Sequence, residues 1–143
     1  MENSVILRSQ LVEAQVQGTP AVGRRYNFLE IPNLSRNNIY IYAIEAFGYN
    51  QLVSTPTGNT VIGGGATSQT PTSQVVVTLL DNQKNQFVYQ MPYYSMIRNN
   101  NGGFLVYLKP RVINLTDCFI QLVNTTSIAA SEVAIFNIYY FEK

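Results

Sequence analysis

From Asn38 to Asn50 the chain reads Asn-Ile-Tyr-Ile-Tyr-Ala-Ile-Glu-Ala-Phe-Gly-Tyr-Asn, apolar and amphipathic residues running between polar turn formers. In a β-strand successive side chains point to opposite faces, so the fold of this stretch is set by which residues share a parity. Strict alternation places Ile39, Ile41, Ala43 and Phe47 on one face and Tyr40, Tyr42, Ile44 and Ala46 on the other. Both faces are then covered, as in a central strand of a packed sheet, and Ile41 and Phe47 are expected in the core. Glu45 falls on the Ile39/Phe47 face, where a carboxylate must find a partner, reach water past a sheet edge, or cost several kcal/mol.

The same period recurs along the chain. Ser4 to Gln17 carries Val5, Leu7, Leu11, Val12 and Val16 in broken alternation. Residues 1–17 are therefore expected as an edge strand of the chain's own sheet or as an N-terminal arm that pairs with a neighbour. Gly18-Thr19-Pro20 separates this segment from residues 18–143, since Gly and Pro disfavour continuing a ladder. Further strands are expected over Tyr26–Ile31, Val75–Leu80, Gln86–Gln90, Phe104–Leu108, Cys118–Val123 and Glu132–Phe141, with a hairpin turn at Asp81–Asn85 and breaks at Pro92 and Pro110. Between Leu52 and Val75 the composition shifts to Ser, Thr, Gly, Pro and Gln around Gly63, Gly64 and Gly65, with one short apolar piece, Thr60-Val61-Ile62. Residues 54–74 are expected as a long exposed loop and a contact surface. It is not a phosphate-binding loop, because no Lys-Ser/Thr follows the glycines. No segment sustains 3.6-residue apolar spacing. The chain is thus expected to be all-β: a single antiparallel β-sandwich of about eight strands, jelly-roll or another Greek-key type, within the one domain that 143 residues fit. An immunoglobulin-like sandwich is disfavoured, for there is no Trp and only one Cys.

There is no histidine, which removes the commonest general base, the Ser-His-Asp and Cys-His arrangements and nearly all catalytic zinc sites. Asp81, Asp117, Glu30, Glu45 and Glu132 could in principle supply a glycosidase pair. Yet Asp81 lies in a turn, Asp117 opens a strand, and no Trp is present to stack a sugar. Calcium would want a motif such as Asp-x-Asp, and none occurs. The expectation is a protein that is not an enzyme and holds no cofactor, metal or small-molecule substrate. Cys118, within Cys118-Phe119-Ile120, is expected as a buried thiol. Charged residues make up 12% and the net charge is +1, so no footprint for nucleic acid is present. No apolar run approaches the ~18 residues of a membrane span and no basic n-region opens the chain, so it reads as soluble, free of membrane and made in the cytoplasm.

A surface of Asn, Gln, Ser and Thr with few charges is weakly protected against association, which points to a protein packed among copies of itself. The candidate contact residues are Val5, Leu7 and Leu11 of the first segment, Arg24 and Arg25, Gly63, Gly64 and Gly65 of the loop, and Tyr93 and Tyr94. The ten tyrosines otherwise read as sheet-face residues rather than a binding patch.

The segments Asn38-Ile-Tyr-Ile-Tyr-Ala-Ile-Glu-Ala-Phe, Leu52-Val-Ser-Thr-Pro-Thr-Gly-Asn-Thr-Val and Phe87-Val-Tyr-Gln-Met-Pro-Tyr-Tyr-Ser-Met resemble those of bacteriophage virion structural proteins. The likeness is to small β-sandwich capsid, penton or auxiliary capsid proteins of phages of Bacteroidetes-type bacteria, and covers residues 25–125. It implies a homo-oligomer located in the virion that docks on other capsid proteins, with no catalytic residue. The alternative is a receptor- or carbohydrate-binding module of a phage fiber or spike.

Overall fold

The computed structural model describes residues 8–31, 34, 38–47, 59–62, 74–97, 106–123 and 132–142. They form eight strands: β1 (Arg8–Gln15), β2 (Tyr26–Asn27), β3 (Ile39–Ala46), β4 (Val75–Leu80), β5 (Gln86–Pro92), β6 (Val106–Arg111), β7 (Phe119–Leu122) and β8 (Val133–Glu142). Two antiparallel four-stranded sheets result, ordered β1-β8-β3-β6 and β2-β7-β4-β5. Successive strands alternate between the sheets except for the β4–β5 hairpin, and the first strand lies beside the last. That order is the jelly roll, two Greek keys wound together.

β8 is the long strand around which the first sheet is built. Its even-numbered residues Ala134, Phe136, Ile138 and Tyr140 join Val12, Ala14, Ile41 and Ile44 from its neighbours and Val75, Val77, Leu79, Ile120 and Leu122 from the facing sheet in one core. Phe136 is the centre of it, with the rings of Phe28 and Tyr93 each 5.4 Å away. Fully burying a side chain of this kind is worth about 1.5–3 kcal/mol, so this contiguous cluster is what holds the two sheets together.

β1 pairs with β8 along its whole length, from Arg8 opposite Tyr140 to Gln15 opposite Val133, and buries Val12 and Ala14. Of the two forms open to residues 1–17, the described part takes the edge strand of its own sheet. Val5 and Leu7 lie outside the described residues, as do Gly63, Gly64 and Gly65. At its far end β1 turns to the other sheet: Leu29 N–H donates to Glu13 O at 3.0 Å, and Ala14 bridges Phe28.

Strict alternation fails in β3. Ile41 opposes Tyr140, but Ala43 opposes the very next residue of β8, Tyr139, so Tyr42 is an extra residue in a β-bulge. One inserted residue moves every later side chain to the other face. Ile44 and Ala46 therefore join Ile39 and Ile41 in the core, while Ala43 and Glu45 turn outward. Phe47, expected in the core, is only half-buried and lies outside it.

Other expectations are corrected by local chemistry. β2 is two residues long rather than running to Ile31. β5 and β6 continue through Pro92 and Pro110, which they can do because both are edge strands whose outer N–H groups need no partner. The loop expected over 54–74 is not wholly exposed: Ile62 N–H donates to Val133 O at 2.9 Å, Val133 N–H to Thr60 O at 3.0 Å, and Val61 and Ile62 are buried.

Candidate interaction surfaces

No group of three or more Cys, Asp or Glu side chains gathers among the described residues, and no helix among them is long and apolar enough to cross a membrane. Of the carboxylates singled out from the sequence, Asp81 and Asp117 each hold a turn. Asp81 folds back over its own hairpin turn, its Oδ1 accepting Gln83 N–H and Asn85 N–H at 2.9 Å each. Its Oδ2 accepts the Asn85 side-chain amide at 3.3 Å and faces Arg111 Nη1 at 3.7 Å. Burial raises the Asp81 pKa, but these hydrogen bonds and the guanidinium outweigh it and hold the carboxyl below its usual 3.8. Asp117 Oδ2 accepts Asn114 Nδ2 at 2.8 Å. These contacts close hairpin and turn ends.

Tyr93, expected at an interface, is buried. Pro92 ends β5, and a 3-10 turn over Tyr93–Met96 tucks Tyr93 and Met96 inward. The Tyr93 hydroxyl donates to Phe47 O at 2.5 Å and accepts Ile135 N–H at 3.2 Å, tying the end of β3 to β8. Burial pushes its pKa well above the normal range, so it remains a neutral hydroxyl. Its neighbour Tyr94 is exposed. Cys118 is buried as expected. Its Sγ accepts Leu80 N–H at 3.2 Å, and burial, only partly opposed by that bond, pushes the thiol up to about 12.

The outer faces of the two sheets differ in kind. On the β8 sheet, Tyr40 stacks on Phe141 at 5.8 Å, Tyr42 lies 6.0 Å from Phe141 and 6.4 Å from Tyr139, and the Tyr139 hydroxyl donates to Glu45 Oε1 at 2.7 Å. Glu45 has thus found its partner by the bulge that turned it outward. Glu13 of β1 shares this face and is buried, yet among the described residues neither of its carboxylate oxygens has a hydrogen-bond partner. On the β7 sheet, Arg25 lies over the Phe119 ring at 4.4 Å; Arg111, from β6 of the other sheet, lies over Phe87 of β5 at 4.7 Å, and Arg24 stands 6.0 Å from the ring of Tyr26, itself a core residue. Arg24 and Arg25, expected as contacts, are exposed and spread across their own aromatic neighbours. Among the described residues the exposed large apolar side chains are Val22, Leu29, Tyr89, Tyr94 and Val123; all but Leu29, whose backbone is bonded to β1, lie on this half of the molecule.

The candidate residues therefore do not converge. Leu11 is half-buried at the edge of the β8 sheet, Arg24 and Arg25 flank the short β2 at one side of the β7 sheet, and Tyr94 follows β5 at the other side. Sequence reasoning passed over Glu13 and the Tyr40/Tyr42/Tyr139/Phe141 belt. Glu13 stood in plain view at an apolar parity of the first segment; the belt depends on the bulge and had no local signal. No family model, no curated protein and no solved structure matches the chain.

Proposed function

We propose that this protein is a structural subunit of a bacteriophage virion, a capsid, penton or auxiliary coat component that acts by packing against copies of itself and against neighbouring coat proteins. The observation that carries this reading is the strand order, β1-β8-β3-β6 facing β2-β7-β4-β5. Jelly rolls serve chiefly in viral coats, lectins and cupins. A cupin-like metal centre lacks its histidines in this chain. In this reading the protein has no catalytic role, and its weakly charged surface favours lateral packing. The fold supports the reading by analogy, and the chain has no histidine to serve a Ser-His-Asp or Cys-His arrangement.

A second reading, a receptor- or carbohydrate-binding module of a fiber or spike, is favoured by the aromatic belt beside Glu45, since stacked rings next to a carboxylate suit a sugar's apolar face and hydroxyls. Light scattering with negative-stain microscopy separates the two. A discrete closed oligomer or a lattice supports the coat subunit; a monomer that retains a soluble glycan on an array sinks it in favour of the second.

A further inference from the structure

The free edge of β1 carries an inference that rests on the coat-subunit reading and names the surface through which copies meet. Backbone groups in an antiparallel strand point alternately to either side. Val16 N–H turns toward β8, donating to Glu132 O at 2.9 Å, whereas Glu13 O turns the other way to accept Leu29 N–H at 3.0 Å. Even-numbered residues of β1 therefore address β8, and odd-numbered ones address the open side. Glu13 is used there by the chain leading out of β2. Ser9 and Leu11 are not: among the described residues no backbone group pairs with Ser9 N–H, Ser9 C=O or Leu11 N–H on that side. Leu11 O is held only by the side-chain amide of the adjacent Gln10, at 3.2 Å.

Sheet edges are usually blunted against such pairing by proline, lysine, bulges or brevity. The other three edges of this sandwich are blunted in those ways. β5 carries two register shifts, a left-handed Gln90 at φ 48° and Pro92. β6 carries Lys109 and Pro110, and β2 is two residues long. From Arg8 to Val12, β1 has no proline, glycine, lysine or register shift.

We propose that β1 pairs antiparallel with β1 of a second copy, across a two-fold axis at Gln10, and so joins two four-stranded sheets into one of eight. With Gln10 on the axis, Ser9 of each copy opposes Leu11 of the other. Each Ser9 N–H meets a Leu11 C=O and each Leu11 N–H meets a Ser9 C=O, so every open group on both edges is satisfied by the same short sequence. This self-complementarity selects a second copy over an unrelated strand, since an isologous contact requires one patch to fit itself. Charge does not oppose it: the only ionic group in the pairing segment, Arg8, already meets Glu142 at 3.1 Å within its own chain. Gln10 of each copy faces its twin as a close pair, and the amide that now covers Leu11 O is free to turn to its counterpart. Pairing ends after Val12, where Phe28 and Leu29 occupy the edge, so the contact is short and its strength depends on protein concentration.

The test follows association of the full chain by sedimentation equilibrium, together with amide exchange by NMR. Ser9→Pro deletes an N–H that β8 does not use and sets a ring on the open side; Ser9→Lys sets a charge at the same exposed place. Both variants keep the wild-type circular dichroism and melting temperature, and both weaken association about tenfold or more. In the wild type, exchange at the Ser9 and Leu11 amides slows about tenfold or more as concentration rises, while that of Gln10, already bonded to β8, changes little. Undiminished association in both variants, or exchange at Ser9 and Leu11 that ignores concentration, overturns the β1 pairing and leaves assembly through another surface intact. A wild type that stays monomeric at every concentration overturns the pairing and the self-assembling coat reading together.

Discussion

On the sheet built around β8, the outer face buries Glu13 and Glu45 beside a belt of tyrosine and phenylalanine rings. On the sheet built around β7, the outer face lays Arg25 over Phe119. The first face buries Glu13 and Glu45 and half-covers its aromatic rings with one another; the second covers Phe119 with the exposed Arg25. The strands differ in parallel. β8 and β1 pair without interruption, whereas β4 and β5 pass through two register shifts and β2 is a stub. An edge strand paired without interruption, as β1 is, can present a clean ladder to a neighbour. An irregular one protects itself, because bulges twist its edge away from any template. The comparison teaches that low charge does not make the whole surface equally adhesive.

The largest effect expected is from Phe136→Ala, which empties the space between Phe28 and Tyr93 and should cost about 3–5 kcal/mol in chemical denaturation. Phe119→Ala, on the far side of the other sheet, should cost clearly less, because the Arg25 side chain can settle into the gap. Equal losses would break the contrast between the faces. Tyr93→Phe follows at about 1–3 kcal/mol, since it strands Phe47 O and Ile135 N–H in the interior. A melt that this change leaves alone would show that β3 and β8 do not need the tie.

Two of the buried glutamates, Glu13 and Glu45, sharpen the comparison within one face. Glu13→Leu should raise stability by about 1–2 kcal/mol, because it removes from beside Ile135 a carboxylate with no hydrogen-bond partner among the described residues, whereas Glu45→Leu should lower it by about 1 kcal/mol by taking the acceptor from Tyr139. Shifts of the same sign would show that burial, and not pairing, decides the matter. Arg25→Ala should cost about 0.5–1 kcal/mol and expose the Phe119 ring, readable as increased binding of a hydrophobic dye.

The smallest effect is a pH profile. Asp81 binds its proton less tightly folded than unfolded, so its contribution is fully present above the ordinary carboxylate value of 3.8 and is lost as the pH falls below that toward the lowered folded value. Asp81→Asn should flatten that acid limb of a melting curve against pH. An unchanged limb would assign it to other carboxylates.

Much of this fold was legible in the sequence, because alternation and turn residues are local signals. β4, β7 and β8 fall within two residues of the segments that Val75–Leu80, Cys118–Val123 and Glu132–Phe141 marked. The breaks expected at Pro92 and Pro110 failed because proline excludes only a central strand, and whether a strand is central depends on long-range pairing. Tyr93 was misplaced for a similar reason: two adjacent tyrosines after a proline look alike in sequence, and only the 3-10 turn decides which goes inside. The Val61–Ile62 anchor was hidden in a polar stretch because two apolar residues are too few to register as a strand. Which sheet edge stays open among the described residues was the least legible, because an edge's openness is a property of what does not pair with it.

The extra residue at Tyr42 gives β3 two reading frames. Up to Ile41 the interior is spelled by odd positions, and from Ile44 onward by even ones. Substitutions within either frame are ordinary changes of side chain. Loss of Tyr42 would close the bulge and merge the two frames, leaving Ile44 inward and Glu45 outward, whereas loss of a residue within either frame would carry the later side chains to the opposite face, so this strand should accept a change of length at that one position far more readily than anywhere else.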